Sequence, residues 1–271
     1  MPRGSLLFAA LCLVAGCGRV SREDAEDALD QAALATQAQL LMDTIVALGE
    51  GAPRTVTPES AARALAAQLD RLIDCADASA EADKVLVDFG TPDRPCEFGG
   101  RALSGCAELR ILENTAERLV IDHYWVQGAR TVCHEDDFSD GALTVDGTAT
   151  VTWTGPPGAR DIVQHDVVWR PTQSGRTVAA TGTLSAAAQG DAGALRLTGS
   201  QTWATEGADW QLESVDILVA PDDFLPTEGT HVVTNPAGEP ISIRYSRSED
   251  GHTTVAVEGG GSSFSFDVFA R

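Results

Sequence analysis

Lysine is almost missing from this chain: of 19 basic residues only Lys84 is a lysine, against 40 acidic ones, and the formal net charge is −21. A field of that sign repels phosphate backbones and anionic headgroups, which argues against a nucleic-acid-tracking surface. It draws in cationic partners, divalent metal ions among them, although solubility or a salty medium accounts for the same charge. Recognisable catalytic motifs are missing too. There is no Gly-x-Ser-x-Gly elbow for a serine nucleophile and no glycine-rich phosphate loop. The five histidines, His123, His134, His165, His231 and His252, include no pair at the close spacing of the helical zinc motif. Carboxylates are so plentiful that Asp122 or Glu213 cannot be singled out as half of a glycosidase pair.

What is present begins with a leader. Residues 1–16 carry one charge, Arg3, and an apolar run from Leu6 to Val14, far shorter than the ~20 residues of a spanning helix. This pattern predicts a signal peptide. It ends in Val14, Ala15, Gly16 and Cys17, which resembles the lipobox of bacterial lipoproteins. The resemblance implies that Cys17 is lipidated with chains such as palmitate and becomes the mature N-terminus, leaving 18 basic against 40 acidic residues. Each buried methylene of such a chain contributes about 0.8 kcal/mol, enough in sum to hold a soluble domain on a bilayer. Gly18 is not the aspartate that retains some lipoproteins in the inner membrane, so an extracytoplasmic, outer-membrane location is expected.

After processing, Cys75, Cys96, Cys106 and Cys133 remain, an even number in an oxidising compartment. Two disulfides are expected, and the three possible connectivities stay open. A zinc site using Cys133 and His134 is the alternative, but the spacing from Cys96 to Cys106 is not the short thiolate pair of structural zinc sites.

Ser21 to about Leu48 has no proline or glycine, and its opening turns hold Glu23, Asp24, Glu26 and Asp27, which suit a helix N-terminus. Leu29, Ala33, Leu40, Leu41, Ile45 and Leu48 predict one apolar stripe; Gly49 and Gly51 end the helix. Thr57, Pro58 and Glu59 predict a second helix start, running to about Asp74 with Leu65, Leu69, Leu72 and Ile73 on one face. The two helices are expected to form a hairpin or to lie across the β module. Beyond Lys84, β-branched and aromatic residues alternate with Thr, Ser and charges between recurring turn signals. Leu143–Thr154, Val163–Trp169, Val178–Leu184, Leu195–Trp203, Trp210–Val219, Ile241–Tyr245, Val255–Val257 and Phe264–Val268 read as strands. In Trp210–Val219 the apolar phase switches between Leu212 and Val215, as a β-bulge requires.

The predicted fold is therefore α+β, mainly β: an N-terminal helical hairpin over residues 17–80, then an antiparallel β-meander over 81–271 that forms a curled sheet, partial barrel or sandwich. Val87-Asp88-Phe89-Gly90, Cys96, Gly100-Arg101 and Ser104-Gly105, with the Tyr124–Gly128 stretch and Val151–Thr154, resemble a pattern in β-rich bacterial surface lipoproteins of unassigned function. The resemblance covers about residues 84–170 and implies an exported, sheet-rich module without an activity. Taken by themselves, Gly90, Gly99, Gly100 and Gly105 are what a tight hairpin needs.

The densest polar cluster is His134, Glu135, Asp136, Asp137, Ser139 and Asp140. Oxygen-rich loops bind calcium, and His134, Glu135, Asp136, Asp137 and Asp140 are the candidate ligands, but Phe138 and Gly147 depart from the helix-loop-helix calcium pattern, so a solvated acidic loop competes with that reading. His123, Tyr124 and Trp125 would make a sugar-stacking face only if adjacent strand residues pointed the same way, which they do not. The functional expectation is a lipid-anchored envelope protein with a non-catalytic binding or scaffolding role. A carrier of a small hydrophobic ligand and a carboxylate-dependent hydrolase are the rivals.

Overall fold

The computed structural model describes residues 19–98, 101–125, 138–154, 159–171, 177–189, 194–205, 208–220, 226–248 and 252–268. Helix α1 (Arg22–Val46) starts at a capping box: the Ser21 hydroxyl accepts the Asp24 N–H, and the Asp24 carboxylate accepts the Ser21 N–H. A 3₁₀ turn, Ala47–Gly51, closes it where the glycines predict its end. Helix α2 (Pro58–Leu72) begins with Thr57 accepting the Ser60 N–H and proline in its first turn.

Seventeen strands come next among the described residues: β1 (Asp77–Glu81), β2 (Lys84–Asp88), β3 (Gly90–Thr91), β4 (Arg94–Phe98), β5 (Arg101–Leu103), β6 (Cys106–Asn114), β7 (Leu119–Trp125), β8 (Phe138–Ser139) and β9 (Leu143–Trp153). The chain continues through β10 (Ala159–Pro171), β11 (Val178–Gln189), β12 (Ala194–Thr205), β13 (Ala208–Val219), β14 (Glu228–Thr234), β15 (Pro240–Arg247), β16 (Thr253–Gly259) and β17 (Ser262–Val268). Strands β3, β4 and β5 form a small sheet, and the rest form one antiparallel sheet ordered β1-β2-β6-β7-β9 and then consecutively to β17, with β8 beside β9. The sheet is not closed: β1 and β17 are its two edges. The mainly β meander expected from the alternation is what the chain forms.

The predicted bulge sits on β13. Val215 and Asp216 both face outward, Asp216 has φ +52°, and the register to β14 shifts between Val215 and Leu218. Its partner strand has to make room. Gly229 lies opposite with φ +107°, where a Cβ would come within 2.4 Å of the Asp216 carbonyl oxygen. Asp146 and Gly147 interrupt the alternation of β9 in the sequence without breaking the strand, because Gly147 stays in register with Trp125 and Val167.

The single stripe expected on α1 is corrected by the structure. Leu29 and Ala33 are only half-buried, whereas Ala25, Ala28, Ala32 and Ala35 are buried, and from Ala38 to Asp43 every residue is. Six consecutive buried residues exceed one turn, so this later part of the helix is enclosed on all sides, while Glu26, Asp27 and Asp30 leave its first turns exposed on one side. A signal for this exists in the sequence: between Gln31 and Gly49 the only charge is Asp43. Arg22–Gly51 is also the one described helical segment long and apolar enough to cross a membrane, but most of it is buried inside this protein. At its start Val20 packs on Gly259 of β16 and Arg22 stacks over Phe266 of β17; at its end Gly49 abuts Ile121 of β7 and Trp153 of β9. Since these strands lie far apart in the sheet order, the sheet curls around the helix.

Helix α2 packs elsewhere, on β1, β2 and β6. Of the two arrangements open to the helices, they therefore lie across the β module rather than pairing with each other. Leu65 and Leu69 are buried with Ala61, Ala62 and Ala66, but Leu72 is 68% exposed, because the helix ends there and Ile73 takes the buried place.

Candidate functional site

The in-register pairing lines up a row of residues on the inner face of the sheet: His123, Ala149, His165, Gly182, Gln201, Leu212, Val233 and Ile241, from β7 to β15. Neighbouring strands are about 4.8 Å apart, so the small residues Ala149 and Gly182 leave space between the polar side chains. Glycine is needed at position 182, where a Cβ would meet the Ser200 carbonyl oxygen at 2.3 Å. His165 and Gln201, both buried, face each other across that gap. Neither ring nitrogen of His165 and neither amide atom of Gln201 has a hydrogen-bond partner of normal geometry among the described residues. Burial pushes the His165 pKa down to about 4 against the opposing pull of Asp166 and of a long, poorly aligned side-chain contact with Gln201, so the ring is neutral near pH 7. The indole N–H groups of Trp125, Trp153 and Trp169 and the hydroxyl of Thr205 are buried on the same inner surface without partners among the described residues.

Farther along the sheet the inner face is satisfied by α1. The Trp203 indole donates to Gln31 Oε1 at 3.1 Å. Thr36 Oγ1 spends its one proton on the Ala32 carbonyl oxygen at 2.9 Å, so its 3.2 Å contact with His231 Nε2 requires that nitrogen to be the donor. In neutral His231 the Nδ1 is then the acceptor, and Ser214 Oγ donates to it at 3.1 Å. Burial lowers the His231 pKa to about 3, and the ring stands edge-on to Tyr245 with centroids 5.5 Å apart. Desolvation likewise raises the Tyr245 phenol.

On the outer face an open groove of about 460 Å³ crosses β11 to β14, lined by Thr181, Ser200, Thr202, Gln211, Glu213 and Thr234. A second of about 400 Å³ adjoins it through Thr181, Thr202 and Gln211. The lining mixes hydroxyl, amide and carboxylate groups with the apolar Leu212, Val232 and Trp210, and includes no cation among the described residues. Glu213 belongs to this groove, whereas Asp122 is held on the outer face of β7 by Thr150 Oγ1 at 2.7 Å and the Tyr124 hydroxyl at 3.3 Å. His123 and Trp125 face inward and Tyr124 does not, so the three make no common stacking face.

The residues of the lipoprotein-like pattern build a clamp rather than a reaction centre. The Asp88 carboxylate accepts the Gly90 N–H, Gly90 has φ +81°, and Gly105 N–H donates to the Gly90 carbonyl oxygen. Phe89 packs edge-on against Phe138, Ser104 bridges to Ser139, and Arg101 pairs with Asp140 in a nearly buried ion pair. A disulfide joins Cys75 to Cys96, tying the end of α2 to β4. Cys106 is also in a disulfide, and Cys133 lies outside the described residues.

Of the calcium candidates, His134, Glu135, Asp136 and Asp137 lie outside the described residues, as does Cys17. Asp140 is engaged: besides Arg101 it accepts the Ala142 and Leu143 N–H groups and so shapes the turn into β9. Among the described residues no group of three His, Cys, Asp or Glu side chains is placed to hold a metal ion. Asp24 beside the Ser21 hydroxyl and Asp83 beside Arg110 have their carboxyl pKa values lowered by those partners. No local sequence signal announces the His165–Gln201 gap, which depends on cross-strand register. Compared with family models, curated proteins and solved structures, the chain finds no match.

Proposed function

We propose that this is an extracytoplasmic protein, lipid-anchored at Cys17 in the cell envelope, whose β module binds or scaffolds a partner without catalysing a reaction. The observation that supports the binding role is the occupation of the sheet's inner face by the protein's own helix, held by Gln31–Trp203 and Thr36–His231–Ser214. The outer groove over β11–β14 then offers an accessible concave surface, with hydroxyl and amide groups set among apolar ones. The anchor itself rests on the lipobox resemblance. Intact-mass measurement of the membrane-extracted protein tests it: an N-terminal acylated Cys17 is expected, and Cys17→Ala should move the protein to the soluble fraction. Unmodified N-terminal peptide in the wild type would remove the anchor from the reading.

Carriage of a small ligand is the second reading, and one observation favours it. The inner wall around His165 and Gln201 has more hydrogen-bonding capacity than α1 uses, with three indole donors close by in the same core. A carried molecule would offer acceptors to these donors while burying an apolar body. Native mass spectrometry of freshly purified protein separates the readings, since a carrier should retain a stoichiometric adduct that disappears on denaturation.

A further inference from the structure

The chain has almost no slack between the proposed anchor and the core, and this fixes an orientation. Val20 is 2% exposed, its methyl group wedged beside Gly259, and Ser21 caps α1 immediately afterwards. Only Gly18 and Arg19 separate Cys17 from Val20. Three peptide steps of 3.8 Å reach at most about 11 Å. Register places the Asn235–Glu239 turn between β14 and β15, and the Gly260–Gly261 turn between β16 and β17, at this same end of the sheet. The opposite end, with the Thr115–Arg118 turn between β6 and β7, lies by the far end of α1, where Gly49 abuts Ile121 and Asn114 donates to the Pro53 carbonyl oxygen; the 25 residues of α1 put it about 38 Å away.

We propose that the end of the sheet bearing the Asn235–Glu239 and Gly260–Gly261 turns rests against the phospholipid headgroups, with the strands standing away from the bilayer. The inference rests on the lipidation of Cys17. The short tether, not charge, enforces it: Glu239 and Glu258 lie near this end as well as Arg19 and Arg22, so no basic patch is available to draw in an anionic surface. One consequence concerns the outer groove. Its Thr234 immediately precedes the Asn235 turn, so whatever binds there is bound close to the membrane rather than at the far tip.

The test uses full-length lipidated protein in phosphatidylethanolamine–phosphatidylglycerol vesicles containing a headgroup nitroxide lipid. A fluorophore is attached at Ala237→Cys or at Ala116→Cys, both exposed turn positions. Mass spectrometry first establishes the acyl group. Quenching at position 237 should exceed that at 116 several-fold. Inserting twelve Gly/Ser residues between Gly18 and Arg19, a tether of about 20 Å r.m.s. length, should remove most of the difference. Equal quenching at the two positions in acylated, vesicle-bound protein would overturn the orientation while leaving the anchor intact. Absence of the acyl group would overturn both.

Discussion

Two parts of the inner sheet face meet the same helix differently. On β12 to β14 each of these buried polar groups has its counterpart: Trp203 with Gln31, and His231 with Thr36 on one side and Ser214 on the other. On β9 to β12 the equally buried Trp153, His165, Trp169, Gln201 and Thr205 have none among the described residues. Matched polar contacts of this kind fix the rotation and register of a helix that is otherwise a smooth alanine-rich rod, because sliding it would orphan every one of them. The unmatched set marks either a dry wall that carries an energetic penalty or a surface that holds water or a ligand. Substitutions at corresponding positions distinguish these two states.

Acid should produce the largest effect, and it acts on both parts. His165 and His231 have folded pKa values of about 4 and 3, below the ordinary 6.5. A histidine whose folded pKa is depressed binds its proton more readily when unfolded. Its contribution is intact above pH 6.5 and is lost as pH falls toward the folded value. At pH 4.5 each should cost about 2–3 kcal/mol, or about 5 kcal/mol together. Urea unfolding at pH 7.5 and 4.5 measures this. His165→Leu should shrink the difference by about 2–3 kcal/mol, and an unchanged difference would mean that His165 is protonated or solvated in the folded protein.

At neutral pH the two histidines should separate. His231→Leu leaves the Ser214 hydroxyl without its acceptor inside the core and removes the donor to Thr36, whose own proton still bonds Ala32, and should destabilise by about 2 kcal/mol. His165→Leu removes nitrogens that have no partner among the described residues and keeps most of the side-chain volume, so it should be neutral or stabilising by about 1 kcal/mol. A loss of about 2 kcal/mol or more for His165→Leu would show that those nitrogens are bonded in solution, and would shift the balance toward the carrier reading.

How much of this is legible in the sequence depends on the range of the interaction. Helix starts at Ser21 and Thr57 and the β13 bulge are readable because capping and phase are set by residues within a turn or two of each other. The enclosure of α1 looks like a stripe, since leucines carry most weight in a periodicity argument and the buried face here is largely alanine. The run of residues 31–49 with Asp43 as its sole charge is the better signal. The inner row from His123 through His165 to Gln201 is out of reach, because no local feature reports that Ala149 and Gly182 fall between those side chains. The lipoprotein-like pattern is legible as a motif, but its purpose is not: Asp88, Arg101 and Ser104 hold the small sheet against Phe138–Asp140.

The tryptophans give the smallest and sharpest version of the comparison. Trp203 and Trp169 are both buried on the inner face, yet of the two only the Trp203 indole has an acceptor among the described residues, Gln31 Oε1. Replacement by phenylalanine removes the N–H and part of the ring in either case, so the cost of lost volume largely cancels between the two variants. What remains is the hydrogen bond and the buried Gln31 oxygen that its loss leaves bare, together worth about 1 kcal/mol. Trp203→Phe should therefore be about 1 kcal/mol less stable than Trp169→Phe in equilibrium denaturation. If Gln31→Leu is introduced first, the gap should close, because neither indole then has an acceptor among the described residues. Persistence of the gap in the Gln31→Leu background would assign it to packing and would detach Trp203 from the set that locks α1 in place.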